Sequence, residues 1–237
     1  MKKQLLGCAS ALAIACTATP SYSADLFVAA PVAVAPVYPW FVSVFGGALL
    51  SMDNRYKFNF VSAAGARFAY TAALDGGYIF GASIGRDFLG FVRTELEVAQ
   101  SNVKFINPYQ APGFVGQNVQ GGINARTLLG NVWLSHQIGP MVPYIGGGVG
   151  FGWTSGSITV SNGSGQQIRG RDSGFAYQLG GGVRVPFANR WEFDLGYRYR
   201  VITGINYASA IAGFTTERIG SKDITDHILR AGLTFKF

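Results

Sequence analysis

Gly81-Ala82-Ser83-Ile84-Gly85 matches the G-x-S-x-G pattern of serine hydrolases. That chemistry needs its serine on a sharp turn between a strand and a helix. Here the motif sits inside an alternating segment with no helical pattern after it, so Ser83 reads as a small inward residue. The two histidines, His136 and His227, have no metal-ligand neighbours at useful spacing. Two carboxylate pairs, Glu95 with Glu97 and Glu192 with Asp194, are spaced for acid–base work. Arginines are interleaved with them, which favours salt bridging over catalysis. No catalytic residue, cofactor or metal site is expected, and the chain is not read as an enzyme.

The elements that would position these side chains alternate with a period of two. From Trp191 to Arg200, Trp191, Phe193, Leu195, Tyr197 and Tyr199 alternate with Glu192, Asp194, Gly196, Arg198 and Arg200. The last segment, His227 to Phe237, sets Leu229, Ala231, Leu233, Phe235 and Phe237 against Ile228, Arg230, Gly232, Thr234 and Lys236. One apolar and one polar face is what a strand needs when lipid lies outside and a hydrated or charge-filled lumen lies inside.

Eight such segments are predicted: about 40–49, 76–88, 90–101, 123–135, 142–153, 175–185, 191–200 and 227–237. Each has roughly the 9 to 11 residues of a tilted membrane strand. The facing of the first is unsettled because both parities are apolar, and the fourth is weakly patterned. Short turns near 87–90, 136–141 and 186–190 alternate with long connections near 50–75, 102–122, 154–174 and 201–225. That is the pattern of periplasmic turns and extracellular loops. The predicted fold is all-β: an eight-stranded, antiparallel, up-and-down transmembrane β-barrel over residues 40–237.

The N-terminus agrees with export. Met1-Lys2-Lys3 is basic, Leu5 to Ala18 is apolar, and Ser21-Tyr22-Ser23 offers small residues for cleavage after Ser23. Residues 1–23 are therefore read as a cleaved signal peptide, and 24–39, with prolines at 31, 36 and 39, as an extended periplasmic arm. Cys8 and Cys16 would leave with the signal, so no disulfide or thiol chemistry is expected. Lipid modification at Cys16 is the alternative, set aside because Ala13-Ile14-Ala15 lacks the usual preceding leucine. Losing Lys2 and Lys3 lowers the net charge of +7 by two. With 13% charged residues and single, unclustered arginines, a nucleic-acid binder is not indicated.

An eight-stranded barrel is about wide enough for side chains alone. The predicted inward set is Arg93, Glu95, Glu97, Gln178, Arg184, Glu192, Asp194, Arg198, Arg200 and Arg230. Buried ions are tolerated only when paired, so a charge network filling a narrow lumen is expected, with inward glycines making room for arginine. Trp40, Tyr144, Trp153, Trp191 and Tyr199 read as interfacial girdles. The stretch 155–174, with Arg169 and Arg171, reads as a solvated loop that could also meet lipopolysaccharide.

WEFDLGYRYR, VPYIGGGVGFG, FAYQLGGGVRVPF and HILRAGLTFKF resemble strands of the opacity-like, porin-like immunogenic outer-membrane proteins of alphaproteobacteria, relatives of the outer-membrane protein A barrel. The resemblance implies a heat-modifiable surface barrel and no single activity. It also implies that Leu233, Phe235 and Phe237 form the signal read by the barrel-assembly machinery. The function expected is structural: a monomer in the Gram-negative outer membrane, surrounded by lipid and lipopolysaccharide, with loops open to host or environmental ligands. Because some relatives in that family act as porins or bind haem, a narrow porin or small-ligand barrel is the alternative.

Overall fold

The computed structural model describes residues 38–50, 55–62, 67–109, 118–161, 166–207, 214–215 and 219–237. The signal peptide read at 1–23, and the arm read at 24–39 up to residue 37, lie outside them. The elements are β1 (Trp40–Leu50), β2 (Arg55–Ser62), β3 (Arg67–Phe88), β4 (Val92–Tyr109), β5 (Asn118–Ser135), β6 (Val142–Ser161), β7 (Gln166–Ala188), β8 (Trp191–Tyr207), β9 (Phe214–Thr215) and β10 (Ile219–Lys236). All pairings are antiparallel, and β1 bonds to both β3 and β10. That double pairing closes an eight-stranded barrel of β1, β3 to β8 and β10. Closure leaves no sheet edge unpaired in lipid, where an unsatisfied backbone group would cost several kcal/mol. Among the described residues no helix is long and apolar enough to cross a membrane.

Both ends of the barrel meet at the rim that carries the short turns. Phe237 N–H donates to the Trp40 carbonyl (2.9 Å) and Lys236 N–H to that of Arg190 (2.8 Å). Asp87 N–H likewise donates to the Pro39 carbonyl at 2.7 Å. In the turn between β3 and β4, Leu89 (φ 52°) and Gly90 (φ 75°) both adopt left-handed backbone. Such a turn matches the twist of the strands it joins, although Leu89 pays a steric cost that glycine does not.

The periplasmic limits of the strands fall close to those expected, but the distal limits do not. Much of what the sequence suggests as long loops is ladder: β6 and β7 stay in register from Val142–Arg184 out to Val160–Gln166. The stretch read as a solvated loop at 155–174 is paired strand up to Ser161 and again from Gln166. Outside lipid both faces can carry polar residues, so apolar alternation ends while backbone hydrogen bonding continues. Beyond β1, β2 takes its place against β3, and the short β9 pairs with β2. On β8 the inward parity switches between Ile202 and Ile205 around Gly204 (φ 73°), next to shifts in the β8–β10 register, as a bulge produces.

The unsettled parity of β1 resolves with Phe41, Phe45 and Leu49 inward and Val42, Val44 and Ala48 outward. Phe45 and Leu49 pack with Ile79, Ala99 and Ile228 into an apolar wall on one side of the lumen. On β5, Ile123, Ala125, Leu129 and Trp133 also face inward. The interior is therefore part apolar, more so than the charged residues alone suggest.

Candidate functional site

The interior is the candidate site. Five buried arginines, 93, 184, 198, 200 and 230, share it with five buried carboxylates, those of Glu95, Glu97, Glu192, Asp194 and Asp226. At the periplasmic rim Asp87 and Lys236 join them in a closed ring of alternating charge. Arg93 bonds Asp87 (2.6 Å) and Glu192 (2.9 Å), while Lys236 bonds Asp87 (3.0 Å) and Glu192 (2.6 Å). Each ion thus has two partners of opposite sign, the arrangement that offsets desolvation in a low-dielectric interior.

Ties across the lumen leave β4 at every fourth residue. Arg93 reaches Glu192 on β8, the strand opposite. Glu97 accepts from Arg230 Nη1 on β10 at 2.7 Å. Ser101 Oγ accepts from Arg200 Nη2 on β8 at 2.8 Å, and Arg200 also pairs with Asp226 at 2.6 Å. Beyond Arg200, Ile123, Ile202, Ile205 and Ile224 are buried and continue the filling in apolar form.

Between these ties lies an amide and aromatic cluster. Glu95 accepts from Trp133 Nε1 (2.8 Å), Asn131 Nδ2 (3.0 Å) and Ser83 Oγ (3.1 Å). Gln178 Nε2 donates to Asn131 at 2.8 Å and to Glu97 at 3.4 Å. Arg198 lies 4.1 Å over the Trp133 ring and donates to Tyr144 Oη at 2.8 Å. Glycines permit this approach: a Cβ on Gly180 would lie 2.6 Å from Arg198 Cδ, and one on Gly146 2.8 Å from the Trp133 ring. A cavity of about 20 Å³ remains, bounded by Arg184, Asp194, Arg198 and Arg230 among others. That is room for one water or little more. Arg184 Nε, Asp194 Oδ1, Arg198 Nε and Arg230 Nε make no hydrogen bond, although Arg230 Nε stands 3.8 Å from Asp194.

The model of the outer membrane protein beta-barrel domain matches residues 27–237. The chain belongs to that family. An uncharacterized protein of Brucella suis is 25% identical over 199 residues, with 70% of each chain covered. Among solved structures, the outer membrane protein OprG from Pseudomonas aeruginosa superposes with a TM-score of 0.54 at 16% identity, covering 84% of this chain and 96% of that one. The outer membrane protease OmpT from Escherichia coli does so with 0.52 at 9% identity, covering 86% and 100%. These likenesses concern the fold.

Of the inward charged residues expected in this outer-membrane barrel, Glu95 and Arg198 are held by neutral partners and not by ion pairs, and Arg184 also stands apart from the ion pairs. Its guanidinium lies 5.0 Å from the Tyr144 ring. Asp87, Asp226 and Lys236 were missing from the expected set. Lys236 and Asp226 share the parity of Arg230, and Asp87 that of Ser83, so parity carried the signal for all three.

One assignment is corrected. Tyr144 is not a girdle residue: it is 7% exposed and faces the lumen, because it shares the parity of the glycine row at 146, 148, 150 and 152. Its ring meets Trp133 edge-on at 5.6 Å. Trp40, Trp153 and Trp191 are exposed on the outer wall and Tyr199 is half-buried there. Ser83 is 6% exposed within β3, bonded to Glu95 and far from any strand-to-helix elbow. His136 is exposed in the turn after β5, while His227 Nδ1 shares a hydrogen bond with Tyr197 Oη at 2.5 Å on the outer wall. Among the described residues, no three His, Cys, Asp or Glu side chains converge as metal ligands would.

Proposed function

We propose that this outer-membrane barrel is a sealed structural element of the envelope, a non-enzymatic monomer whose distal hairpins face host or environmental contacts. The observation that carries the reading is the filling of the interior: paired charges at three levels, Arg93–Glu192, Arg230–Glu97 and Arg200–Asp226, apolar residues beyond them, and a residual cavity of about 20 Å³. A conducting path would have to separate Arg93 from Glu192 and Arg230 from Glu97, leaving buried ions unpaired at a cost of several kcal/mol. Planar-bilayer recordings of the purified barrel should show no stable large conductance. Long-lived, large open steps in the wild-type protein would reject the proposal.

A narrow channel is the second reading, and the four unbonded polar atoms around the small cavity favour it. It predicts small, brief openings that Arg198→Met would alter, whereas a sealed barrel shows none in either protein.

We also propose that Leu233, Phe235 and Phe237 act in assembly. Leu233 and Phe237 are exposed on the outer wall, and the Phe235 ring lies 4.9 Å from that of Trp191. Phe237→Ser is expected to lower the amount of heat-modifiable barrel recovered from outer membranes several-fold. Recovery equal to wild type would refute this role.

A further inference from the structure

On the outer wall of β4 to β7, lipid-facing chemistry gives way to polar chemistry within one step of the ladder. Val98, Leu128, Phe151 and Phe175 are neighbours in register and form the last apolar row. Two residues farther from the periplasmic rim, Gln100, Arg126, Trp153 and Ser173 lie side by side. Two residues farther again come Asn102, Asn124, Ser155 and Arg171. Arg126, Trp153 and Arg171 are all exposed.

All of these two rows but Asn102 line a groove of about 810 Å³ on the barrel wall, with Thr154 beside them. Arg126 Nε donates to Gln100 Oε1 at 3.2 Å, which holds the guanidinium along the wall. Asn102 Nδ2 donates to Asn124 Oδ1 at 2.7 Å and stiffens the row above. Asp172 also borders the groove, and its Oδ1 accepts from the Ser173 N–H at 2.8 Å.

We propose that this groove seats the phosphorylated disaccharide of lipopolysaccharide, with its phosphates on Arg126 and Arg171 and its acyl chains descending over Phe151 and Phe175. Three features select that ligand. The groove begins where the apolar band ends on the extracellular side, the depth at which a lipid of the outer leaflet carries its phosphates. Trp153 stands in the first polar row, the headgroup level favoured by tryptophan. Arg126 and Arg171 lie two strands and two residues apart, which at ordinary strand spacing and rise puts their backbones about 12 Å from each other. A bisphosphorylated disaccharide can engage both guanidinium forks at once, whereas one glycerol phosphate reaches only one. The inference depends on the outer-membrane setting and not on whether the lumen conducts, so its failure and that of the sealed-barrel proposal are separable.

The test is binding of lipid A to the full-length barrel in detergent, read by native mass spectrometry. Wild type should bind bisphosphorylated lipid A most tightly, the monophosphorylated form less, and the phosphate-free form least. Arg126→Ala with Arg171→Ala should weaken bisphosphorylated lipid A by at least about tenfold, as expected when two charge-assisted contacts are lost. The same pair should retain the heat-modifiable mobility of a folded barrel, and Arg86→Ala at the periplasmic rim should bind as wild type does. Equal affinity of wild type for phosphate-free lipid A would overturn the proposal without recourse to any variant. So would equal affinity for phosphatidylglycerol, or an Arg86→Ala loss as large as that of the pair.

Discussion

Glu97→Ala is expected to destabilise the barrel by about 3–5 kcal/mol, the range for removing one partner of a buried ion pair. Glu97 is 2% exposed, and its two oxygens accept from Arg230 (2.7 Å) and Gln178 (3.4 Å). Without it Arg230 keeps the ring of Phe45 at 4.2 Å, Asp194 at 3.8 Å and the longer-range attraction of Glu95, and loses its one close ion pair. The cost is chiefly that of the cation left behind. Replacing both partners, as Glu97→Leu with Arg230→Met, should therefore recover most of the lost stability. Urea unfolding in lipid vesicles, followed by tryptophan fluorescence, measures both variants. A Glu97→Ala midpoint equal to wild type, or a double variant no better than the single one, would refute the view that paired charges hold the interior together.

Trp133→Ala should cost a similar amount, about 3–5 kcal/mol, as for a large aromatic removed from a packed core. Trp133 is 2% exposed, stacks under Arg198, meets Tyr144 edge-on and donates to Glu95. Its indole also borders the small interior cavity, so truncation enlarges that space directly. Trp133→Phe preserves much of the packing but drops the N–H to Glu95, which should cost about 1–3 kcal/mol. If the lumen is closed by side-chain volume, Trp133→Ala will also pass more current than wild type in bilayer recordings. Equal stability of the alanine and phenylalanine variants would assign Trp133 no packing role.

The two substitutions probe parts of the barrel that differed in legibility. Glu97 could be placed because β4 alternates Arg93, Glu95 and Glu97 with Thr94, Leu96 and Val98, and a lipid-facing parity excludes the charged set. Trp133 could not, because β5 places large apolar residues on both parities, Leu129 and Trp133 on one and Leu128, Val132 and Leu134 on the other. Only its neighbours Glu95, Arg198 and Tyr144 mark the inward one. Tyr144 was misread for a related reason: an aromatic near a strand end suits either a girdle or a lumen, and residue type does not choose between them.

What the sequence by itself determined was the alternation, the number of membrane strands and the side on which the short turns lie. All three follow from local rules of strand parity and turn composition that hold wherever the chain is placed. The tertiary structure alone decided which inward ions meet. Arg93 and Glu192 are 99 residues apart and Glu97 and Arg230 are 133 apart. Their distances depend on barrel closure, when β1 pairs with both β3 and β10 and opposite strands come within reach of one side chain. The facing of β1 also became visible only on closure, which turns Phe41 and Phe45 under Arg93 and Arg230 and packs Phe45 against Ile79, Ala99 and Ile228.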